Sequence, residues 1–86
     1  MSRRDKLLER FLGRPADFRF DEMSRLLKGF GYEEIGAGKT AGSRVAFMNR
    51  TSGHIIRLHK PHLGNTLKRY QMELVEEALR AKGIIK

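Results

Sequence analysis

His59 follows Arg57 by two positions and precedes Lys60 directly and His62 by three, within a segment, 35–72, that contains no aspartate or glutamate. Those residue types match the needs of metal-independent phosphodiester cleavage in RNA. A base must take the proton of the attacking 2′-hydroxyl, an acid must supply one to the leaving oxygen, and fixed cations must stabilise the charge that gathers at phosphorus. Imidazole suits the first two tasks because its ordinary pKa lies near neutrality. Guanidinium suits the third, as a planar donor fork that keeps its charge. His59 with Arg44, Arg57 and Lys60 is therefore a candidate phosphodiester-cleaving constellation, and a cationic binding surface carrying a solvated histidine is the alternative. His62 is either an acid-base partner or a cap for its own loop. His54 is assigned to structure.

Other chemistries fit less well. Two imidazoles three residues apart, His59 and His62, find no carboxylate or thiolate nearby to complete a metal site, and the chain has no cysteine. No metal and no cofactor are expected. The run Gly36-Ala37-Gly38-Lys39-Thr40 has the wrong glycine spacing for a nucleotide-binding phosphate loop, although its backbone N–H groups can still approach a phosphate. Ser43 lacks an adjacent Asp-His relay and is no serine nucleophile.

Charge defines the partner class. Segment 35–72 carries Lys39, Arg44, Arg50, Arg57, Lys60, Lys68 and Arg69 and so holds seven of the eight net positive charges. Clustered cations release condensed counterions on meeting phosphates, which makes nucleic acid the default partner. A cationic segment of strand and loop, rather than a basic amphipathic helix, argues against a membrane surface. No apolar run approaches the eighteen or so residues that span a bilayer, and the N-terminus leads into charged sequence, so cytoplasmic residence is expected. With 86 residues and 40% apolar composition the chain is read as one domain with one core.

The elements that must position these side chains follow from periodicity. Leu7, Leu8, Phe11 and Leu12 predict a short helix over 5–12, stopped by Gly13 and Pro15. Met23, Leu26, Leu27 and Phe30 predict a second, with Asp21 as its cap and Gly31 as its stop. Residues 32–36 are expected to form an edge strand with Ile35 inward. Two further strands, 43–49 and 54–59, flank a four-residue hairpin loop. Pairing Asn49 with His54 puts Val45, Phe47, Ile56 and Leu58 on one face and Arg44, Ala46, Met48, Ile55, Arg57 and His59 on the other. That register sets Arg44 opposite His59. A last helix over 69–82 carries a ridge of Met72, Val75 and Leu79 with Leu74 and Ala78 beside it. The order ααβββα predicts an α+β domain, a three-stranded antiparallel sheet with helices on one face.

Several short motifs recur together in one known order. They are Phe20-Asp21-Glu22, Leu26-Leu27 and Gly31-Tyr32, then Gly38-Lys39-Thr40-Ala41-Gly42-Ser43-Arg44, then Leu58-His59-Lys60-Pro61-His62 with Gly64-Asn65, and last Leu67-Lys68 with Tyr70-Gln71. In order and spacing the chain over 20–84 resembles the longer variants of the HicA toxins, which are mRNA interferases. The resemblance leaves 1–15 as an accessory N-terminal helix of a single domain, 1–86. It implies a fold like the double-stranded-RNA-binding domain, an mRNA endoribonuclease of a type II toxin-antitoxin system, and a HicB-like antitoxin as protein partner. Shorter members place a catalytic histidine after the Gly-Ser pair, where this chain has Arg44, and proline usually stands where it has Leu63. Arginine cannot shuttle protons near neutral pH. Either His59 or His62 has taken over the acid-base work, or this branch binds RNA or its antitoxin without cutting. The candidate catalytic residues are thus His59, Arg44 and His62. The candidate RNA contacts are Lys39, Ser43, Arg57, Lys60, Lys68 and Arg69.

Overall fold

A computed structural model of the chain describes residues 3–35, 44–60 and 66–85. Its elements run α1 (Arg3–Leu12), α2 (Phe20–Gly29), β1 (Tyr32–Ile35), β2 (Arg44–Asn49), β3 (Ile55–His59) and α3 (Arg69–Ala81). The three strands form one antiparallel sheet in the order β1-β2-β3, so the domain is α+β with the ααβββα sequence of elements.

The β2–β3 register is the one that alternation predicts. Arg44 pairs with His59, Val45 with Leu58, Ala46 with Arg57, Phe47 with Ile56 and Met48 with Ile55. Phe47, Ile56 and Leu58 are buried and Val45 packs beside them, in one cluster with Phe20, Met23, Leu26 and Leu27 of α2 and Met72, Val75 and Leu79 of α3. Helix α1 joins the same cluster through Phe11, whose ring lies 5.6 Å from that of Phe18. All the buried sheet residues of the core thus share one parity, and the opposite parity is left to the outer face.

Asn49 sets the hairpin. Its N–H donates to the His54 carbonyl at 2.8 Å, its Oδ1 accepts the N–H groups of Thr51 and Ser52, and its Nδ2 donates to the Phe30 carbonyl. Gly53 closes the loop at φ +77°, and Gly31 ends α2 at φ +92°, both in the left-handed region that glycine adopts without a Cβ clash. Helix α1 ends differently, since the left-handed residue there is Arg14 at φ 49°, whose guanidinium reaches Glu76 of α3 at 2.9 Å.

Three expectations are corrected. Ile35 does not point inward: it pairs with Ala46, on the parity of Arg57. A four-residue strand has a single choice of parity, and Tyr32, 1% exposed, takes the inward one because an aromatic ring buries more area than an isoleucine. Asp21 does not cap α2, whose N-cap is Arg19, two residues earlier; Glu22 accepts the Arg19 N–H there, at 3.0 Å. Leu74 does not flank the buried ridge of α3 but is 49% exposed.

Glu22 also binds α1. The Arg10 Nε donates to Glu22 Oε2 at 2.8 Å, and that hydrogen bond, helped by the Arg19 N–H, holds the carboxyl below its ordinary range against the opposing effect of burial. A carboxyl lowered in the folded state stabilises the fold above its unfolded pKa and loses that contribution as pH falls through the folded value. Glu22→Gln should therefore be less stable than the parent near neutral pH, with the gap closing as pH drops below the ordinary value of 4.5. Urea midpoints measured in parallel across that range check it, and a constant gap would assign the effect to packing.

Candidate nucleic-acid interface

The outer parity of the hairpin places Arg44 and His59 directly opposite each other at one end of the β2–β3 ladder, with Arg57 two residues back along β3. Directly opposed residues on antiparallel strands hold their Cβ atoms about 4.5–5.5 Å apart, and diagonal neighbours about 7–8 Å. One imidazole and two guanidinium groups therefore share a single exposed surface. Between them and the far end of the sheet lie Ile35, Ala46, Met48 and Ile55, half-buried on the same face.

Pairing separates these two arginines from seven others. Arg10, Arg14, Arg19, Arg25, Arg50, Arg69 and Arg80 each contact an aspartate or glutamate within 4.0 Å. Among the described residues Arg44 and Arg57 do not, nor do His59, Lys60 and Lys68. The segments outside the described residues contain no aspartate or glutamate either. Glu33 lies on the outer parity, but at the Met48 end, where it hydrogen-bonds Arg50 and is held low in pKa by that contact. The positive charge beside His59 is thus left for an external anion.

Helix α3 brings more cations to this end. Gln71, 6% exposed, donates from Nε2 to the His59 carbonyl at 2.8 Å and accepts the Lys68 N–H on Oε1 at 3.2 Å. One buried amide thus ties the first turn of α3, with Lys68 and Arg69, to the residue that bears the candidate imidazole. Leu67 donates to the Phe18 carbonyl at 2.8 Å and Thr66 bridges Arg19, so the starts of α2 and α3 sit side by side. Lys60 lies over the Phe20 ring with its ammonium 5.5 Å from the centroid, a cation–π contact that fixes its stem while leaving the head exposed.

Of the residues singled out in the sequence, Arg44, Arg57, His59 and Lys60 are brought together on and beside the hairpin, and Lys68 and Arg69 join through Gln71. Lys39, Ser43 and His62 lie outside the described residues, as does the 36–42 glycine-rich loop. His54 is held apart: its Nδ1 shares a 2.7 Å hydrogen bond with the Tyr32 hydroxyl, and burial pushes that phenol's pKa up. Among the described residues no three His, Asp or Glu side chains gather as metal ligands, and no helix is long and apolar enough to cross a membrane.

Sequence reasoning missed Gln71 and Arg19. Both helices open with a cationic N-cap, where Ser, Thr, Asp or Asn is usual, and satisfy the cap N–H from the third helical residue instead. The spacing Arg19-x-x-Glu22 and Lys68-x-x-Gln71 is the reciprocal half of a capping box, and that was the available signal. Comparison with protein-family models, curated proteins and solved structures finds no match.

Proposed function

We propose that the chain is an RNA-binding toxin of the HicA type, with a fold related to the double-stranded-RNA-binding domain, that cleaves mRNA in the cytoplasm without a metal and is neutralised by a HicB-like antitoxin. The observation that carries this reading is that Arg44 and Arg57 lack the ion pairs that hold seven other arginines, on the one face that also bears His59. An arginine in an ion pair must exchange its carboxylate before it meets a polyanion, as Arg69 can in its exposed pair with Glu73; the two unpaired ones beside an imidazole are ready for phosphate. The 2′-oxygen attacks phosphorus and the bond from phosphorus to the 5′-oxygen breaks; His59 either takes the proton of the 2′-hydroxyl or gives one to the departing 5′-oxygen, and Arg44 and Arg57 donate to the phosphoryl oxygens as charge builds on them. Lys60, Lys68 and Arg69 hold the backbone on either side. His62 is a further acid-base candidate in this reading, and Lys39 and Ser43 are further candidate RNA contacts; all three lie outside the described residues.

Incubation of the purified protein with a long unstructured RNA in EDTA tests the enzyme. Fragments ending in 2′,3′-cyclic phosphate are the expected product, and intact RNA at stoichiometric protein would sink the nuclease claim.

A second reading, an RNA binder or antitoxin-binding protein without nuclease activity, is favoured by one observation: His59 is the sole imidazole among the described residues of the cluster, and acid and base catalysis ask for two proton carriers. Salt dependence serves both readings. RNA affinity should fall steeply with ionic strength, and Arg57→Ala should weaken binding uniformly across sequences and reduce the magnitude of the logarithmic salt slope by about 1. Titrations at several salt concentrations measure it, and a flat dependence in the parent would remove RNA from the account altogether.

A further inference from the structure

The first turn of α3 holds an aromatic ring in water. Tyr70 is 60% exposed, whereas Phe11, Phe18, Phe20, Tyr32 and Phe47 are each 5% exposed or less. Core packing does not account for it, since α3 buries Met72, Val75 and Leu79 on another side. Its turn is nevertheless fixed in place: the next residue, Gln71, is buried and bonded to the His59 carbonyl at 2.8 Å. Lys68 and Arg69 immediately precede the ring, and Arg69 is tied only to Glu73, in an exposed pair of the kind that exchanges readily for a stronger anion.

A rigidly mounted, solvent-facing ring beside cations is what proteins use to hold an unpaired nucleotide, with phosphate on the cations and base on the ring. We infer that Tyr70 is a stacking platform for one unpaired base of the strand whose backbone is held by Lys68 and Arg69 and continues to Arg44 and His59. This rests on the RNA-binding reading and adds to it a selection for single-stranded over duplex RNA. Bases inside a duplex already stack on their neighbours and have no free face to offer. Glu73 and Glu77, one and two turns further along α3, repel phosphate and confine the contact to the first turn. Leu74, 49% exposed and four residues after Tyr70, extends the apolar surface under the base.

The test compares the full-length chain with Tyr70→Phe and Tyr70→Ala, titrating a labelled 2′-O-methyl oligouridine, which cannot be cleaved through its 2′-oxygen. Long-chain inorganic polyphosphate serves as a polyanion without bases. Tyr70→Ala should weaken oligouridine binding by about 5- to 150-fold, the range that loss of one stacked base implies, while Tyr70→Phe stays within about twofold. Polyphosphate affinity should be the same for all three. The chain lacks tryptophan and its other tyrosine, Tyr32, is buried, so quenching of intrinsic fluorescence by oligouridine reports the ring directly. Equal oligouridine binding by parent and Tyr70→Ala overturns the stacking role and leaves RNA binding standing. Equal losses toward polyphosphate overturn it too, as an electrostatic effect. No binding of either ligand by the parent sinks this inference and the reading beneath it together.

Discussion

On the proposed nuclease reading, replacing His59 with alanine should lower RNA cleavage by about 10²–10⁴-fold, the usual contribution of one positioned general acid or base, and leave RNA affinity within about threefold of the parent. The asymmetry follows from where the residue sits. The guanidinium groups of Arg44 and Arg57 remain in place for phosphate on that reading, so removing the imidazole should cost binding little. Neither arginine can move a proton in its place. His54 cannot substitute either, because its ring is turned to the Tyr32 hydroxyl at the other end of β3. Single-turnover cleavage in EDTA, run beside titrations with non-cleavable RNA, separates the two quantities. Cleavage within a few-fold of the parent would move the proton chemistry to His62 or away from histidine. Equal loss of binding and cleavage would make His59 a contact residue and favour the non-catalytic reading.

The parts of this site that the sequence makes legible are those that period-2 alternation controls. Val45, Phe47, Ile56 and Leu58 admit one register, and a slip of one residue would bury Arg57 or Arg44 against them, so the neighbourhood of Arg44, Arg57 and His59 follows from apolar residues alone. Alternation fails in β1 because four residues hold two competing apolar side chains of opposite parity, Tyr32 and Ile35, and sequence does not say which wins. The ring wins, with its hydroxyl satisfied by His54. Gln71 escapes for a different reason. Its side chain spans from the α3 cap to β3, and a contact between elements twelve residues apart leaves no local signature beyond half a capping box. Helical periodicity likewise finds Met72, Val75 and Leu79 but misplaces Leu74, which lies on the borderline between the buried ridge and the side carrying Tyr70. What sequence underestimates here is the end of the domain where the starts of two helices and the end of a strand converge.

Neighbouring residues of β2 offer the sharpest test of the sheet's two-sidedness. Phe47 is fully buried on the central strand, its ring 6.1 Å from that of Phe20, and truncating such a residue costs about 3–5 kcal/mol in transfer and cavity terms. A domain of this size has only about 5–15 kcal/mol in total and sits toward the lower end. Phe47→Ala should accordingly lower the melting temperature by about 12–40 °C, at roughly 4–8 °C per kcal/mol, or leave the chain unfolded. Met48, the next residue, has the opposite parity and meets Ile55 across the ladder, a cross-strand contact of about 0.2–1 kcal/mol. Met48→Ala should therefore shift the melt by no more than a few degrees. Calorimetry on both variants decides the matter. A large loss from Met48→Ala would mean that the outer face is itself covered within the fold, and a covered face has no room for RNA between the arginines and the far edge of the sheet. A small one keeps Ile35, Ala46, Met48 and Ile55 as open floor beside Arg57, the surface on which the proposed substrate must lie.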